Sequence, residues 1–248
     1  MQATITPGIA FWAVLVTLTG AAAAVAVLAR LGVGRAIVTA SVRAAVQLAV
    51  VSLLITLVLR SWGLTLGFVA SMLTIATLTS ARRLGRDRRN LYAGLAVAAG
   101  ALPVIALVVG SGSVPWKPIA VVPIAGILIG GAMTATSLAG RRALDAMRTR
   151  YGEVEAAMAL GFTDREAALL LCRQNAADAL VPALDQTRTV GLVTLPGAFV
   201  GVLLGGASPI EAGAAQLLVL VGLLAVEAVA VVVTVELIAS RRIPWPAR

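Results

Sequence analysis

Three polar side chains stand inside apolar runs that need none: Arg43 and Gln47 in "GRAIVTASVRAAVQL" and Glu227 in "LLAVEAVAVVV". Arg43 and Gln47 are four residues apart, hence on one helical face. A charged side chain at the centre of a bilayer costs about 3 kcal/mol on insertion scales, so it faces a bundle interior, a water path or the headgroups. Arg43 can snorkel to the nearer interface or pack against a carboxylate or a helix C terminus. Glu227 can pair with Arg43, bind a cation, carry a proton, or sit protonated as a packing residue. "GLVTLPGAFVGVLLGG" adds Thr194, Pro196 and Gly197 to another apolar run. Proline frees a carbonyl from its helical bond, and broken helices at mid-membrane mark transport sites, although a plain kink uses the same residues. Met133 is the methionine deepest in its run. With no histidine and one cysteine, soft-metal coordination is poorly supplied and no metal ligand set can be named. A carboxylate or carbonyl path for a harder cation and an apolar cavity for an organic substrate both fit.

The elements that must hold these residues follow from composition. The chain has 248 residues, is 60% apolar and 12% charged, and has a mean hydropathy of +0.99. Several runs reach the length needed to span a bilayer. The expectation is an all-α polytopic membrane protein, a single domain over 1–248, with about seven transmembrane helices at 8–29, 37–59, 63–80, 91–110, 119–140, 189–206 and 214–238. The first run is too long for a signal-peptide core and reads as the first span. Gly126, Gly130 and Gly131, with Pro123 one turn earlier, form a small-residue face suited to helix packing. Of the 20 bases, a topology with the N terminus outside leaves only Arg60 and Lys117 on the outer side. The bulk, from Arg30 to Arg248, then lies inside, which predicts N-out and C-in in the cell membrane. The net charge of +9 therefore reflects topology, and no soluble basic module remains for nucleic acid. The lone Cys172 excludes an internal disulfide, and the missing histidine excludes a Cys/His zinc cluster and a histidine base. Cys172 reads as a buried apolar side chain, and the chain does not read as an enzyme. No "GxxxxGK[ST]" is present to cradle nucleotide phosphates.

One connection is long. Residues 141–188 carry seven bases and seven acids, a balance suited to docking a protein. The grammar is helix, break, helix, with Gly161 as the left-handed stop and Thr163 with Glu166 as a capping box opening the next helix. Gln174, Asp178 and Asp185 recur at nearly helical spacing. Ser208 and Glu211 form a second capping box, and Glu236 reads as a solvated acid at the inner border. An ordinary interhelical loop and a docking helix pair both account for 141–186.

The stretch "EAAMALGFTDRE" (residues 155–166) is similar to the cytoplasmic signature of ABC-transporter permeases. Small Ala156, Ala157 and Gly161 permit close approach behind Glu155, and Leu160, Phe162 and Thr163 follow, the first two as apolar knobs. The aliphatic residue and "LP" of importer-type signatures are not at the expected place. "GRAIVTASVRAAVQL", "VVPIAGILIGGAM", "EAAMALGFTDREAA" and "TVGLVTLPGAFVGVLLGGASPIEAGAAQ", in this order, resemble the FetB family of ABC permeases. That family includes a bacterial protein assigned to iron export and plant relatives linked to aluminium tolerance. The resemblance spans roughly 34–240 and is most specific over 187–216. It implies a membrane subunit without a cofactor of its own, coupled through 141–186 to a separate ATPase that binds ATP and Mg, and working with a second copy of itself in the lipid. Phe199 and Val200 depart from the pattern after "LPGA", where a methionine and a small polar residue are expected, which weakens transfer of the substrate. The competing reading from the residues is a secondary transporter with Arg43 and Glu227 as an ion or proton relay. ABC export of an organic substrate also remains.

Overall fold

The structure, a computed structural model, describes residues 8–246. Arg248, one of the bases counted toward the inner side, lies outside the described residues. These form ten α-helices and two short 3-10 turns, with no strand among them. The all-α polytopic class is as expected. The chain divides into two units, Met1–Arg60 and Ser61–Arg248.

The first unit is a helical hairpin of α1 (Ile9–Leu28) and α2 (Gly34–Val58). Both are predominantly apolar, as segments in lipid are, with Arg35, Arg43 and Gln47 as the most polar exceptions in α2. The turn is tight: Gly32 has φ +72°, and a Cβ on Gly34 would lie 2.7 Å from Val27 Cγ2. Because α2 begins three residues before the expected boundary, Arg43 stands about 14 Å along it at 1.5 Å per residue. Arg43 and Gln47 share a face of α2 that the hairpin itself does not cover.

The second unit contains α3 (Trp62–Leu84), a 3-10 turn (Arg88–Tyr92) running into α4 (Ala93–Gly110), and α5 (Pro118–Thr149). The short helices α6 (Tyr151–Ala159), α7 (Asp164–Ala177), α8 (Val181–Thr189) and α9 (Gly197–Leu204) follow, and α10 (Pro209–Ala239) ends the unit. α5 and α10 pack on each other and on α4, while α3 packs on α4 and α5. Small residues make this possible: Ala93, Ala96, Ala125, Ala132, Ala139 and Ala230 are all fully buried. Close approach without a hydrophobic driving force is how helices associate in lipid. At the tightest crossing a Cβ on Gly100 would lie 2.6 Å from the Val226 main-chain oxygen. Gly100→Val should therefore force α4 and α10 apart and cost the upper part of the ~1–3 kcal/mol typical of overpacking. Thermal unfolding of the detergent-solubilised chain would show it as a lowered Tm.

Among the described residues six helical stretches are long and apolar enough to cross a membrane, and the difference from seven lies in 189–206. Helicity there begins earlier, at α8 with Pro182 in its first turn, and stops at Thr189. Residues 190–196 leave the helix: Gly191 has φ +79°, its N–H donates to Thr194 O at 2.9 Å, and Val190 bridges Thr194. Pro196 then starts α9, whose eight residues reach about 12 Å against a hydrocarbon core of about 30 Å. Both α8 and α9 pack on α10, so this stretch follows α10 as two half-helices. Hydropathy sees one apolar run here; the backbone, broken by glycine and proline, does not.

Two boundaries also move. α5 runs unbroken to Thr149, past the expected end of the fifth span. A break before α6 falls at Arg150 (φ −121°, ψ 29°), and Gly152 lies inside α6. Arg150 secures the restart by donating from Nε and Nη2 to the two Glu153 oxygens, each at 2.7 Å. That guanidinium holds the Glu153 carboxyl below its usual range.

Candidate coupling segment and intramembrane site

The stretch 155–166 folds as α6, a turn and α7. Leu160 N–H and Gly161 N–H close the end of α6 on Ala156 O and Met158 O, at 3.2 and 3.0 Å, and Phe162 N–H reaches Ala157 O at 3.2 Å. Gly161 sits at φ +95°, where a side chain is strained and glycine is not. Thr163 caps α7: its Oγ1 accepts from Glu166 N at 3.3 Å, and Glu166 Oε2 accepts from Thr163 N at 2.9 Å. The hydroxyl also donates to Glu166 Oε2 at 2.7 Å. The expected capping box is present, as is the one at Ser208 and Glu211. Behind the turn Val154, Ala168, Leu171 and Cys172 are buried, and burial pushes the Cys172 thiol up to about 11, so it is an inert packing group. In front, Leu160 is 81% and Phe162 44% exposed, with Glu155, Ala156 and Gly161 on the same open side and Ala157 half-buried.

The hydrogen bonds from Thr163, first its side chain and then its backbone, hold the Glu166 carboxyl below its usual value. A depressed carboxylate stabilises the fold above its unfolded value and loses that contribution as pH falls through the folded value. The cap should therefore fade below about pH 4.5, the ordinary value for this side chain. Thr163→Ala should cost about 1 kcal/mol at neutral pH and flatten that acid limb. Helicity by circular dichroism between pH 7 and 3, wild type against variant, measures it.

Three ion pairs fasten this segment to the long helices. Arg165 Nε and Nη2 meet the Glu236 oxygens at 2.6 and 2.8 Å, Arg241 meets Asp164 at 2.7 Å, and Arg142 meets Asp178 at 2.9 Å. Each is half exposed and individually weak; together they fix the register of α7 against α5 and α10. Glu236, expected to be simply solvated, is thus a clamp residue. The polar series Gln174, Asp178 and Asp185 does not form one stripe, because α7 ends at Ala177 and Asp178 opens a 3-10 turn. The clamp was not read from sequence, since its partners lie 71 and 77 residues apart. The only local signal is opposite charge at the start of α7 and the end of α10.

The intramembrane candidates are partly gathered. Glu227 on α10 is 7% exposed and makes no hydrogen bond or ion pair among the described residues of the second unit. Its Oε1 lies 3.1 Å from where a Gly131 Cβ would stand, beside Leu223. Gly131 thus opens the space the carboxylate occupies, whereas a Cβ on Gly126 would lie 2.8 Å from Met72 Cε of α3 and one on Gly130 would meet nothing within 4 Å. The three glycines do not share one packing face. Met133 follows Gly131 by about 200° around α5, and its carbonyl accepts from Ser80 Oγ at 3.3 Å and Ser137 Oγ at 2.7 Å. Thr194, Pro196 and Gly197 lie in and just after the break between α8 and α9, with no hydrogen bond or ion pair to Glu227. Arg43 and Gln47 belong to the first unit. Among the described residues no three His, Cys, Asp or Glu side chains come together.

The description "Uncharacterised protein family (UPF0014)" matches residues 9–243. The chain belongs to the UPF0014 family. Among similar proteins, "UPF0014 membrane protein STAR2" of Oryza sativa subsp. japonica is 34% identical over 221 residues, 88% of this chain and 75% of the relative. "Protein ALUMINUM SENSITIVE 3" of Arabidopsis thaliana is 36% identical over 176 residues, 71% of this chain and 62% of the relative. "Probable iron export permease protein FetB" of Escherichia coli is 34% identical over 125 residues, 50% of this chain and 48% of the relative. The resemblance read from the motifs holds. No solved structure matches. With six helices among the described residues long and apolar enough to cross a membrane, and relatives named as membrane proteins, this UPF0014 protein is a multi-pass membrane protein.

Proposed function

We propose that this UPF0014 protein is the membrane permease subunit of an ABC transporter, exporting a metal ion such as iron under the drive of a separate ATPase. The observation that carries the reading is the mounting of 155–166. An exposed apolar turn, Leu160 to Phe162, stands on a helix pair clamped to α5 and α10. A solvated loop needs neither the exposed apolar tip nor the clamp; a surface that receives force needs both. The similarity to a protein named as a probable iron export permease supports the same reading, with iron as the proposed cargo. Two copies meet two ATPases, the N terminus lies outside and the C terminus in the cytoplasm of the cell membrane.

In this mechanism ATP and Mg bind to the partner, and closure of the two ATPases displaces the α6–α7 turn. α5, unbroken from Pro118 to Thr149, carries the displacement into the membrane as a rod. The break at 190–196, with Pro182 before it, bends to let the spans alternate access. A hard cation then passes the Glu227 carboxylate, with Gly131 leaving room beside it and main-chain carbonyls completing its shell.

The test is co-purification of the chain with an ATP-binding subunit, and ATP-dependent iron uptake into inverted vesicles containing both. Stimulated ATPase activity and uptake support the permease. Uptake driven by an ion gradient with no ATPase present would make the protein a secondary transporter.

A further inference from the structure

At the arginine-rich end of the second unit an open cavity of about 900 Å³ lies between the end of α3, the middle and end of α5 and the C-terminal tail. Five arginines line it: Arg86, Arg89, Arg141, Arg142 and Arg148. Its two acids are already engaged, Asp87 with Arg89 at 3.4 Å and Asp145 with Arg148 at 2.9 Å. Arg142 is held by Asp178. Arg86 and Arg141 have no carboxylate partner among the described residues, and Arg141 has only the Ser137 carbonyl at 3.3 Å. Two guanidinium groups are therefore free to take an anion, and the planar fork of each suits a phosphate.

The cavity is built, not merely charged. Asn90 on its wall is 3% exposed, and its Oδ1 is buried with no partner. A buried amide oxygen without a donor is uncommon, and a ligand hydroxyl or ammonium would complete it. Asp87 fixes the loop carrying Asn90 by accepting from Arg89 N at 2.7 Å. Gly85, at φ +148°, leaves the space the Asn90 amide fills.

The rest of the lining is apolar. Leu84, Leu138 and Leu144 face the same space, and Trp245 closes the rim. Its Nε1 donates to Ile238 O at 2.6 Å and its ring lies 3.9 Å beneath the Arg241 guanidinium. Leucines and arginines lining one space, with a pinned tryptophan among them, match an amphiphile whose phosphate lies at the membrane surface. A soluble nucleotide would leave the leucines wet.

We infer that this cavity holds the headgroup of an anionic phospholipid, its phosphate on Arg86 and Arg141 and a headgroup hydroxyl on Asn90. The inference does not rest on the ATPase reading: it is argued from the lining of the cavity, which includes none of Leu160, Gly161 and Phe162.

The full-length chain in detergent, titrated with dioctanoyl-phosphatidylglycerol and followed by native mass spectrometry, tests it. Binding should be at least tenfold tighter than for dioctanoyl-phosphatidylcholine. Arg86→Gln with Arg141→Gln, both exposed and so compatible with folding, should weaken it at least tenfold. Arg82→Gln with Arg83→Gln removes the same charge from residues that do not line the cavity and should leave it unchanged. Equal losses in the two pairs would mean nonspecific attraction and overturn the site. Inorganic phosphate binding as tightly as the lipid would overturn the lipid as occupant. If the Arg86/Arg141 pair loses a co-purifying ATP-binding subunit while lipid binding stays intact, the cavity is a protein-docking surface and the inference falls.

Discussion

Leu160→Glu combined with Phe162→Glu should abolish ATP-driven transport and ATPase stimulation, by at least tenfold each, while leaving membrane insertion and Tm unchanged. Leu160 is 81% and Phe162 44% exposed, and neither belongs to the buried core, so charging them disturbs little internal packing, and surface changes away from caps and cores cost little. The turn beneath them is set by Gly161 and the Thr163 cap, which these changes leave alone. In contrast, the effect on a partner is large, because apolar anchors at the centre of an interface carry most of its energy. Gly161→Arg is the blunter companion: at φ +95° it strains the turn as well as crowding the partner. The paired glutamates therefore isolate docking from folding. Retained coupling in the double variant would remove 155–166 from the mechanism.

Glu227→Gln should lower transport at least tenfold while the protein remains as stable as the wild type or becomes more so. Glutamine preserves the shape beside Gly131, so a packing role would survive the change and a charge-dependent role would not. A nearly buried carboxylate with no partner in its own unit is a cost the fold carries, and sites that cost stability are often those retained for function. Glu227→Asp should restore part of the activity, because it keeps the carboxylate and shortens its reach. Assembly with the ATP-binding subunit should be unaffected in all three forms, separating this result from the first. Full transport by the glutamine variant would make Glu227 a structural residue.

How much of this was legible depended on the range over which each signal acts. Thr163–Glu166 and Ser208–Glu211 were readable because a capping box closes within four residues, and Gly161 because a helix stop is a local backbone event. The long apolar runs gave the spans for the same reason that lipid excludes polar side chains. The 189–206 run misled because hydropathy averages over the backbone: leucines and valines at 192–204 look the same in a helix and in a turn. The end of α5 was hidden because charge at 141–149 marks where lipid stops, and a helix can continue into water. The Arg165–Glu236 and Arg241–Asp164 clamp and the Arg86–Arg141 cavity join distant residues, which no local pattern reports.

The continuity of α5 has one more consequence. An α-helix turns through about 100° per residue, so an unbroken helix ties the compass bearing of everything at one end to that at the other. Gly131 faces Glu227 and Arg142 faces Asp178 on the same rod, so their bearings are locked together. One alanine inserted between them would swing the whole docking end by about 100° without altering a single side chain on either surface. Such a protein would keep its gate and its handle, each intact, pointing in directions that no longer correspond.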